Sequence, residues 1–263
     1  MTDLTYERVR THLSQLKLQR MADYVDSVAE EAAKHEWTYL TFLDRLLDLE
    51  ASARYERDVA MKRKLAHFPF FKTLEEFDFS FQPSINERQV RELATMRFLA
   101  NGENILLLGP PGVGKTHLAI ALGMAAIVQR NHVYFLTMVD LIEMLHKDAK
   151  EDRLGHRLRT MCKPKLLILD EMGYFPLDRM VAQFLFQLVS RRYQRGSIIL
   201  TSNKSFGDWG DIFTDQILAT AILDRLLHHS TTITIRGHSY RLQEKRKTGV
   251  FHDLTQPHTE DQD

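Results

Sequence analysis

The chain has 263 residues, and its 35 lysines and arginines are balanced by 35 aspartates and glutamates, giving a formal net charge of zero. This balance excludes a bulk electrostatic attraction to nucleic acid, so any basic surface must be local. A single cysteine, Cys162, excludes an internal disulfide and reads as a packing residue rather than a reactive thiol. There is no apolar leader and no apolar run of about 18 residues, so the expected compartment is the cytoplasm, with no membrane partner.

From Val9 to Ala32 the residues Val9, Leu13, Leu16, then Leu18, Met21, Val25, Val28 and Ala32 recur at helical spacing, which predicts an amphipathic helix. A second periodic stretch runs through Phe42, Leu43, Leu46, Leu47 and Ala53 and then turns basic at Arg54, Arg57, Lys62, Arg63 and Lys64. Together these predict a small helical domain over residues 1–70. Alternating aromatics from His67 to Phe81, flanked by Pro69 and Pro83, predict an extended tether lying on the next domain.

The pattern then changes to short apolar runs separated by helical stretches, which predicts an α/β core over residues 71–250 with a parallel sheet covered on both faces. The strand candidates are Ile105–Leu108, Val133–Met138, Leu166–Leu169, Ile198–Thr201 and Thr231–Ile235. Helices fall between them, one carrying Val181, Phe184, Leu185, Leu188 and Val189 on a core-facing stripe. Residues 251–263 hold acids, Pro257 and no lysine or arginine, and read as a disordered tail.

Gly109-Pro110-Pro111-Gly112-Val113-Gly114-Lys115-Thr116 fits G-x-x-x-x-G-K-[ST], after a strand and before a helix. Gly112 and Gly114 let the backbone curl so that N–H groups point at a polyphosphate, and the helix start adds partial positive charge. Lys115 is the candidate for the β- and γ-phosphates, and the Thr116 hydroxyl for Mg²⁺. The strand Leu166–Leu169 runs into Asp170 and Glu171, where carboxyl ends of strands meet a ligand crevice. Asp170 would orient a magnesium water, and Glu171 would polarise a water for attack on the γ-phosphate of ATP, which a small-molecule kinase does not need there. Val133–Met138 lies between the two motifs, placing an additional strand between the phosphate loop and the acid strand. Asn203, ending the strand from Ile198, is a candidate γ-phosphate sensor. Arg225, in the helical run Ala219 to His229, is either an arginine finger toward a neighbouring subunit or half of an ion pair with Asp224.

The phosphate loop with His117, the run Asp170-Glu-Met-Gly-Tyr-Phe-Pro-Leu177, Thr201-Ser-Asn203 and Leu218 to His229 together resemble the IstB-like AAA+ ATPases, helpers of insertion-sequence transposition related to DnaC-type helicase loaders. The likeness extends over nearly the whole chain, from Thr73–Phe79 to Gly237–Arg241, and the Gly-Tyr-x-Pro-Leu run favours the transposition branch. The resemblance implies an ATP- and Mg²⁺-dependent homo-oligomer on double-stranded DNA that presents target sites to a cognate transposase. The alternative it leaves open is a loader of a replicative helicase. It further implies that Arg225 acts in trans, and that His117 and Arg241 belong to the nucleotide site with Arg241 as a second phosphate sensor. The short stretch after Ile235 departs from most AAA+ proteins, and no C-terminal helical lid is expected. The basic run Arg54, Arg57, Lys62, Arg63 and Lys64 is the candidate DNA patch; its other reading is a solvated helix face, or pairing with Glu50, Glu56 and Asp58.

Overall fold

A computed structural model describes residues 2–213 and 215–247. Thr214 and the stretch expected to form a tail at 251–263 lie outside the described residues. Contacts divide the chain into two compact units, residues 1–61 and 62–263, so residues 62–70 belong with the second.

The first unit comprises α1 (Thr2–Gln15), α2 (Gln19–Lys34) and most of α3 (Tyr39–Leu65). The single periodic stretch Val9–Ala32 is therefore two helices. Between them Lys17 takes the left-handed conformation, φ 56°, at the place where the apolar spacing slips from Leu16 to Leu18. Met21, Val25 and Val28 of α2 close on Leu46 of α3 to form the core, while Val9 and Leu16 stay exposed.

Leu18, at the cap position of α2, offers no side-chain acceptor to the helix. The buried Glu50 of α3 supplies it instead, accepting from the Arg20 and Met21 amides at 2.8 and 3.3 Å. These are orphan donors of the first helical turn, and the carboxylate also meets the positive end of the helix. Arg54 and Arg57 complete its shell at 2.8 and 3.4 Å. Burial works to raise the Glu50 pKa, but the Arg54 hydrogen bond and the two amides outweigh it, and the net direction is downward. We expect Glu50→Ala to cost about 2 kcal/mol, the worth of a lost cap plus a charged hydrogen bond. A carboxylate lowered on folding stabilises above its unfolded pKa, so this contribution should vanish as pH falls below the ordinary carboxylate range. Urea unfolding across pH, with amide exchange at Arg20 and Met21, measures both; parental protection of those amides in the variant would remove Glu50 as the cap.

In the second unit α4 (Glu87–Leu93) and α5 (Arg97–Asn101) precede an alternating core. There β1 (Asn104–Leu108) leads to α6 (Lys115–Val128), β2 (Val133–Thr137), α7 (Met138–Lys150), α8 (Leu154–Met161) and β3 (Leu166–Met172). Then come α9 (Arg179–Arg192), β4 (Ser197–Ser202), α10 (Gln216–His228), β5 (Ser230–Thr234) and α11 (Tyr240–Lys247). The five strands are all parallel, in the order β2-β3-β4-β1-β5. Four expected strands extend by a residue or more at one end or the other; the interiors of β1, β3 and β4 are buried, as a sheet with helices on both faces requires, while the edge strand β5 buries only Ile233.

One expectation is corrected. The strand separating the phosphate-loop strand from the acid strand is β4, and β2, the run expected there, lies at the sheet edge beyond β3. Sequence order misleads because a helical crossover lets a later strand insert between two earlier ones.

The tether packs on this core as expected. The Phe68 ring sits so close to Gly123 of α6 that a Cβ there would stand 2.8 Å from it and 2.9 Å from Ile168 of β3, so only glycine admits this three-layer contact. Leu74 and Phe77 are buried farther along the tether. Gln82 donates to the His238 carbonyl at 3.1 Å, and Ser84 exchanges hydrogen bonds with Arg236 at 2.8 and 2.9 Å, tying the end of the tether to the segment that leads into α11. Whether a lid follows α11 lies outside the described residues.

Candidate nucleotide site

Because every strand runs the same way, the ends of β1, β3 and β4 emerge side by side, pairing Leu108 with Ser202 and Met172 with Ser202. The chain leaving β1 turns through Gly112 (φ 81°) and Gly114 (φ 98°), conformations that side-chain-bearing residues rarely adopt, and enters α6 at Lys115. The loop is held from both sides. A Cβ at Gly114 would stand 2.7 Å from the Phe77 ring of the tether, and the Gly112 carbonyl accepts from the Tyr240 amide at 2.9 Å at the start of α11.

Lys115 is buried, and its ammonium donates to the Gly109 and Pro110 carbonyls at 2.6 and 2.8 Å. Burial pulls its pKa down; Asp170 opposes that pull and Arg241 adds to it. Thr116 Oγ1 donates to the Asp170 carboxylate, lying 3.1 and 3.0 Å from its two oxygens. Asp170 is 3% exposed, and burial raises its carboxyl above the ordinary range despite the hydroxyls of Thr201 and Thr116.

At Glu171 the strand bulges. The register against β4 shifts between Leu169 and Met172, and Glu171 takes φ 66°, a left-handed conformation in a non-glycine residue. Such strain persists where the surroundings enforce it. Here the Glu171 amide donates to Thr201 Oγ1 at 2.9 Å, while the same hydroxyl donates to Asp170 at 2.6 Å. The outcome is a pair of neighbouring acids in opposite environments, Asp170 buried and Glu171 exposed on the cavity wall.

The cavity holds about 320 Å³ and is lined by the loop from Pro111 to His117, Glu171, Thr201, Arg241 and a set of aromatic rings. The structure thus brings together Lys115, Thr116, Glu171 and Arg241, with Asp170 directly behind Thr116. His117 turns toward the tether, donating through Nε2 to the Thr73 carbonyl at 2.9 Å with its ring edge-on to Phe77. Asn203 stands just outside the lining, its Oδ1 buried without a partner among the described residues beside Gly173.

Arg225 does not reach this cavity. Its guanidinium lies 4.7 Å from the centre of the Phe186 ring and donates to the Ala221 carbonyl of its own helix at 3.1 Å; no ion pair among the described residues joins it to Asp224. Most of the N-terminal cations are engaged elsewhere too. Arg54 and Arg57 pair with Glu50, Lys62 is buried, and Arg63 lies 4.1 Å from the centre of the Phe71 ring; Arg54, Arg57, Arg63 and Lys64 are all exposed. The run is not one free cationic face.

Sequence reasoning missed Thr201 as a functional residue. Its signal was a hydroxyl one strand-step from Asn203, which reads equally as a turn residue. Phe77 and Phe81 as cavity walls were missed as well, because the aromatic alternation signals a surface tether and says nothing of what the tether covers, and Tyr174 and Tyr240 were missed because they lie in runs that carried only the family likeness.

A family model described as "IstB-like ATP binding protein" matches residues 11–248. The chain belongs to this family. It is 51% identical over 95% of its length, and 94% of the relative's, to the protein of insertion sequence IS21 from Pseudomonas aeruginosa, named for ATP binding. It is 49% identical over 91% of its length and 96% of the relative's to the corresponding IS5376 protein of Geobacillus stearothermophilus. Among solved structures, AMPPCP-bound DnaA from Aquifex aeolicus matches with a TM-score of 0.54 at 21% identity, covering 70% of this chain and 57% of that one, a likeness of AAA+ fold. The family is one of ATP-binding proteins, in keeping with a chain that carries a phosphate-loop pattern.

The residues present also suit magnesium: the Thr116 hydroxyl beside the Asp170 carboxylate offers hard oxygen donors of the kind Mg²⁺ takes while keeping most of its waters. Among the described residues there is no cluster of histidine, cysteine and acidic groups that would hold a transition metal. A carboxyl raised on folding destabilises once ionised, so the stability of the nucleotide-free protein should fall as pH rises from the ordinary aspartate range through the raised value. Asp170→Asn should abolish that fall and raise the Tm of the nucleotide-free protein at neutral pH by roughly 2–4 °C, the effect of about 1 kcal/mol in a domain of this size. It should at the same time lose magnesium-dependent nucleotide affinity. Thermal melts across pH, with and without Mg²⁺ and ATP, read both; a variant less stable than the parent when nucleotide-free would show that Asp170 is held for the fold.

Proposed function

We propose that this IstB-like protein hydrolyses ATP to ADP and phosphate, and that an ATP-dependent homo-oligomer of it assembles on double-stranded DNA in the cytoplasm and serves a transposase in choosing and using insertion targets. The observation that carries the hydrolytic part is the split environment of the two acids. Asp170, enclosed by two threonine hydroxyls, is placed to hold the magnesium shell through Thr116. Glu171, swung outward by its positive φ, is left exposed at the cavity with no hydrogen-bonded side chain among the described residues to occupy its carboxylate. A carboxylate so placed can accept the proton of an attacking water. Magnesium, when bound, offsets charge on the phosphate oxygens.

Lys115 supplies a second positive charge, released from the Gly109 and Pro110 carbonyls to the phosphates. Thr201 acts as a positioning residue, fixing the Asp170 carboxylate and the Glu171 backbone with one hydroxyl. Asn203 serves as the sensor beside the γ-phosphate, and Arg241 contacts the phosphates from the first turn of α11. Arg225 contributes to the cavity of a neighbouring subunit, a reading supported by its distance from its own. The insertion-sequence names of the relatives support a transposase and its DNA as partners, ahead of a replicative helicase.

Glu171→Gln should bind a fluorescent ATP analogue with parental affinity and lose turnover by a factor of roughly 10²–10⁴, the usual worth of a general base. Lys115→Ala should lose the binding itself. Steady-state phosphate release at the parental rate from Glu171→Gln would reassign the base. Arg225→Ala and Lys115→Ala should each be inactive, while an equimolar mixture recovers activity through hybrid interfaces. A mixture that co-assembles and stays inactive would place Arg225 in its own subunit's fold.

A further inference from the structure

At the end of the sheet opposite the nucleotide cavity, where β3 and β4 begin, the last turns of α8 and α9 and the turns that follow them bring four arginines together. Arg159, Arg191, Arg192 and Arg195 line a second cavity of about 320 Å³ with Cys162 and Gly196. Arg192 is its floor. It is 2% exposed, and its terminal nitrogens donate to the carbonyls of Met161, Pro164, Lys165 and Ser197 at 3.0, 2.9, 3.2 and 2.8 Å. Its Nε is buried without a partner among the described residues. No carboxylate pairs with it among the described residues, so a full positive charge is enclosed with only carbonyl dipoles around it. Burial draws its pKa down to about 10, which still leaves it protonated at neutral pH.

The three arginines around it are exposed, and among the described residues none of their side chains makes an ion pair, hydrogen bond or ring contact. Cys162, flanked by this charge, is nonetheless raised by burial and is no thiolate partner. An uncompensated buried guanidinium ringed by unpaired ones in a concave site is complementary to an anion with several acceptor oxygens, and planar guanidinium forks match phosphate, as they do carboxylate, bidentately. In a chain of zero net charge, a carboxylate-free concentration of this kind marks where a polyanion would be held.

We propose that Arg159, Arg191 and Arg195, arranged around the buried Arg192, form a phosphate-binding site that engages the backbone of double-stranded DNA at the end of the sheet remote from the nucleotide cavity. This rests on the reading of the protein as a DNA-binding ATPase and gives it an interface additional to the N-terminal run, two of whose arginines pair with Glu50. The contacts carry no base information, so selectivity among duplex sequences is weak.

The test leaves Arg192 in place, because its removal would strand four carbonyls, and compares the parent with Arg159→Gln/Arg191→Gln/Arg195→Gln and with the triple lysine counterpart. Affinity for a random-sequence duplex is measured over a salt series with ATP present, and binding of a fluorescent ATP analogue confirms the folded core of each variant. Loss of three phosphate contacts should flatten the slope of log affinity against log salt by roughly 2.7, about 0.9 for each, and the lysine variant should restore it. A glutamine variant with the parental slope overturns the site while leaving the DNA-binding reading intact; a parent that binds no duplex in any nucleotide state sinks that reading itself. Phenylglyoxal modification of Arg191 and Arg195, read by mass spectrometry, separates the two sources of phosphate. Protection by duplex supports the proposal, and protection by inorganic phosphate with none from duplex shows a free-anion site and overturns the assignment to DNA.

Discussion

The hydroxyl of Thr201 has one hydrogen to give and lone pairs to receive with, and the nucleotide end of the sheet is organised by its using both. It donates to the Asp170 carboxylate and accepts from the Glu171 amide, so that β4 holds β3 at the point where the ladder breaks. Asp170 can then lie buried with two hydroxyl donors, raised by desolvation yet satisfied by hydrogen bonds. With that carboxylate pinned, the next residue must turn, and the positive φ of Glu171 carries its side chain out of the sheet toward the cavity. A valine at position 201 would keep the strand and remove both bonds, leaving a buried acid short of a donor and a strained backbone without its tether. The adjacency of two acids in sequence becomes a division of roles only through this third residue on another strand.

The phosphate loop meets a related constraint. Its glycines permit the curl, but what fixes it is close packing from outside: the Phe77 ring against Gly114 and the start of α11 against Gly112. The two clamping segments are themselves joined by Gln82 and Ser84 to residues 236–238, and Phe81 meets Tyr240 edge-to-face at 5.2 Å. The Lys115 ammonium is held on two carbonyls of this clamped loop. Arg241, on the first turn of α11, lines the same cavity, so the wall of the cavity is built from the segments on either side of the core.

The α/β core was legible in the sequence because its signals are local. Apolar runs between helical stretches mark buried parallel strands, and a glycine pattern between strand and helix marks a phosphate loop wherever it occurs. The reading faltered where the answer depended on what packs against what. The slip from Leu16 to Leu18 looked like one helix continuing, since no glycine or proline announced the turn at Lys17. Strand β2 was expected between two motifs it does not separate, because order in the chain does not fix order in a sheet built by crossovers. The basic run of α3 had two readings, a DNA patch or pairing with neighbouring acids, and the i,i+4 spacing of Glu50 and Arg54 allowed the second; what spacing could not show is that Glu50 is buried and also caps α2, a helix distant in sequence.

The orientation of the sheet also explains why positive charge gathers at its other end. In a parallel α/β core each helix starts near the carboxyl end of the strands and finishes near their amino ends, so helix N-termini surround the nucleotide while helix C-termini crowd the opposite end with unsatisfied carbonyls. Cations are favoured there for structural reasons alone, and Arg192, on the last turn of α9, answers that need, donating to the carbonyls of Met161 at the end of α8, of Pro164 and Lys165 in the turn before β3, and of Ser197 at the start of β4. Once those carbonyls are occupied, further arginines gain little from them. Arg159, Arg191 and Arg195 stand beyond what the helix ends require, exposed, mutually repelling and without carboxylates. Their cost in like-charge repulsion is offset when an external polyanion completes the site, which gives the fold two phosphate-directed ends, one at the start of α6 and one at the ends of α8 and α9.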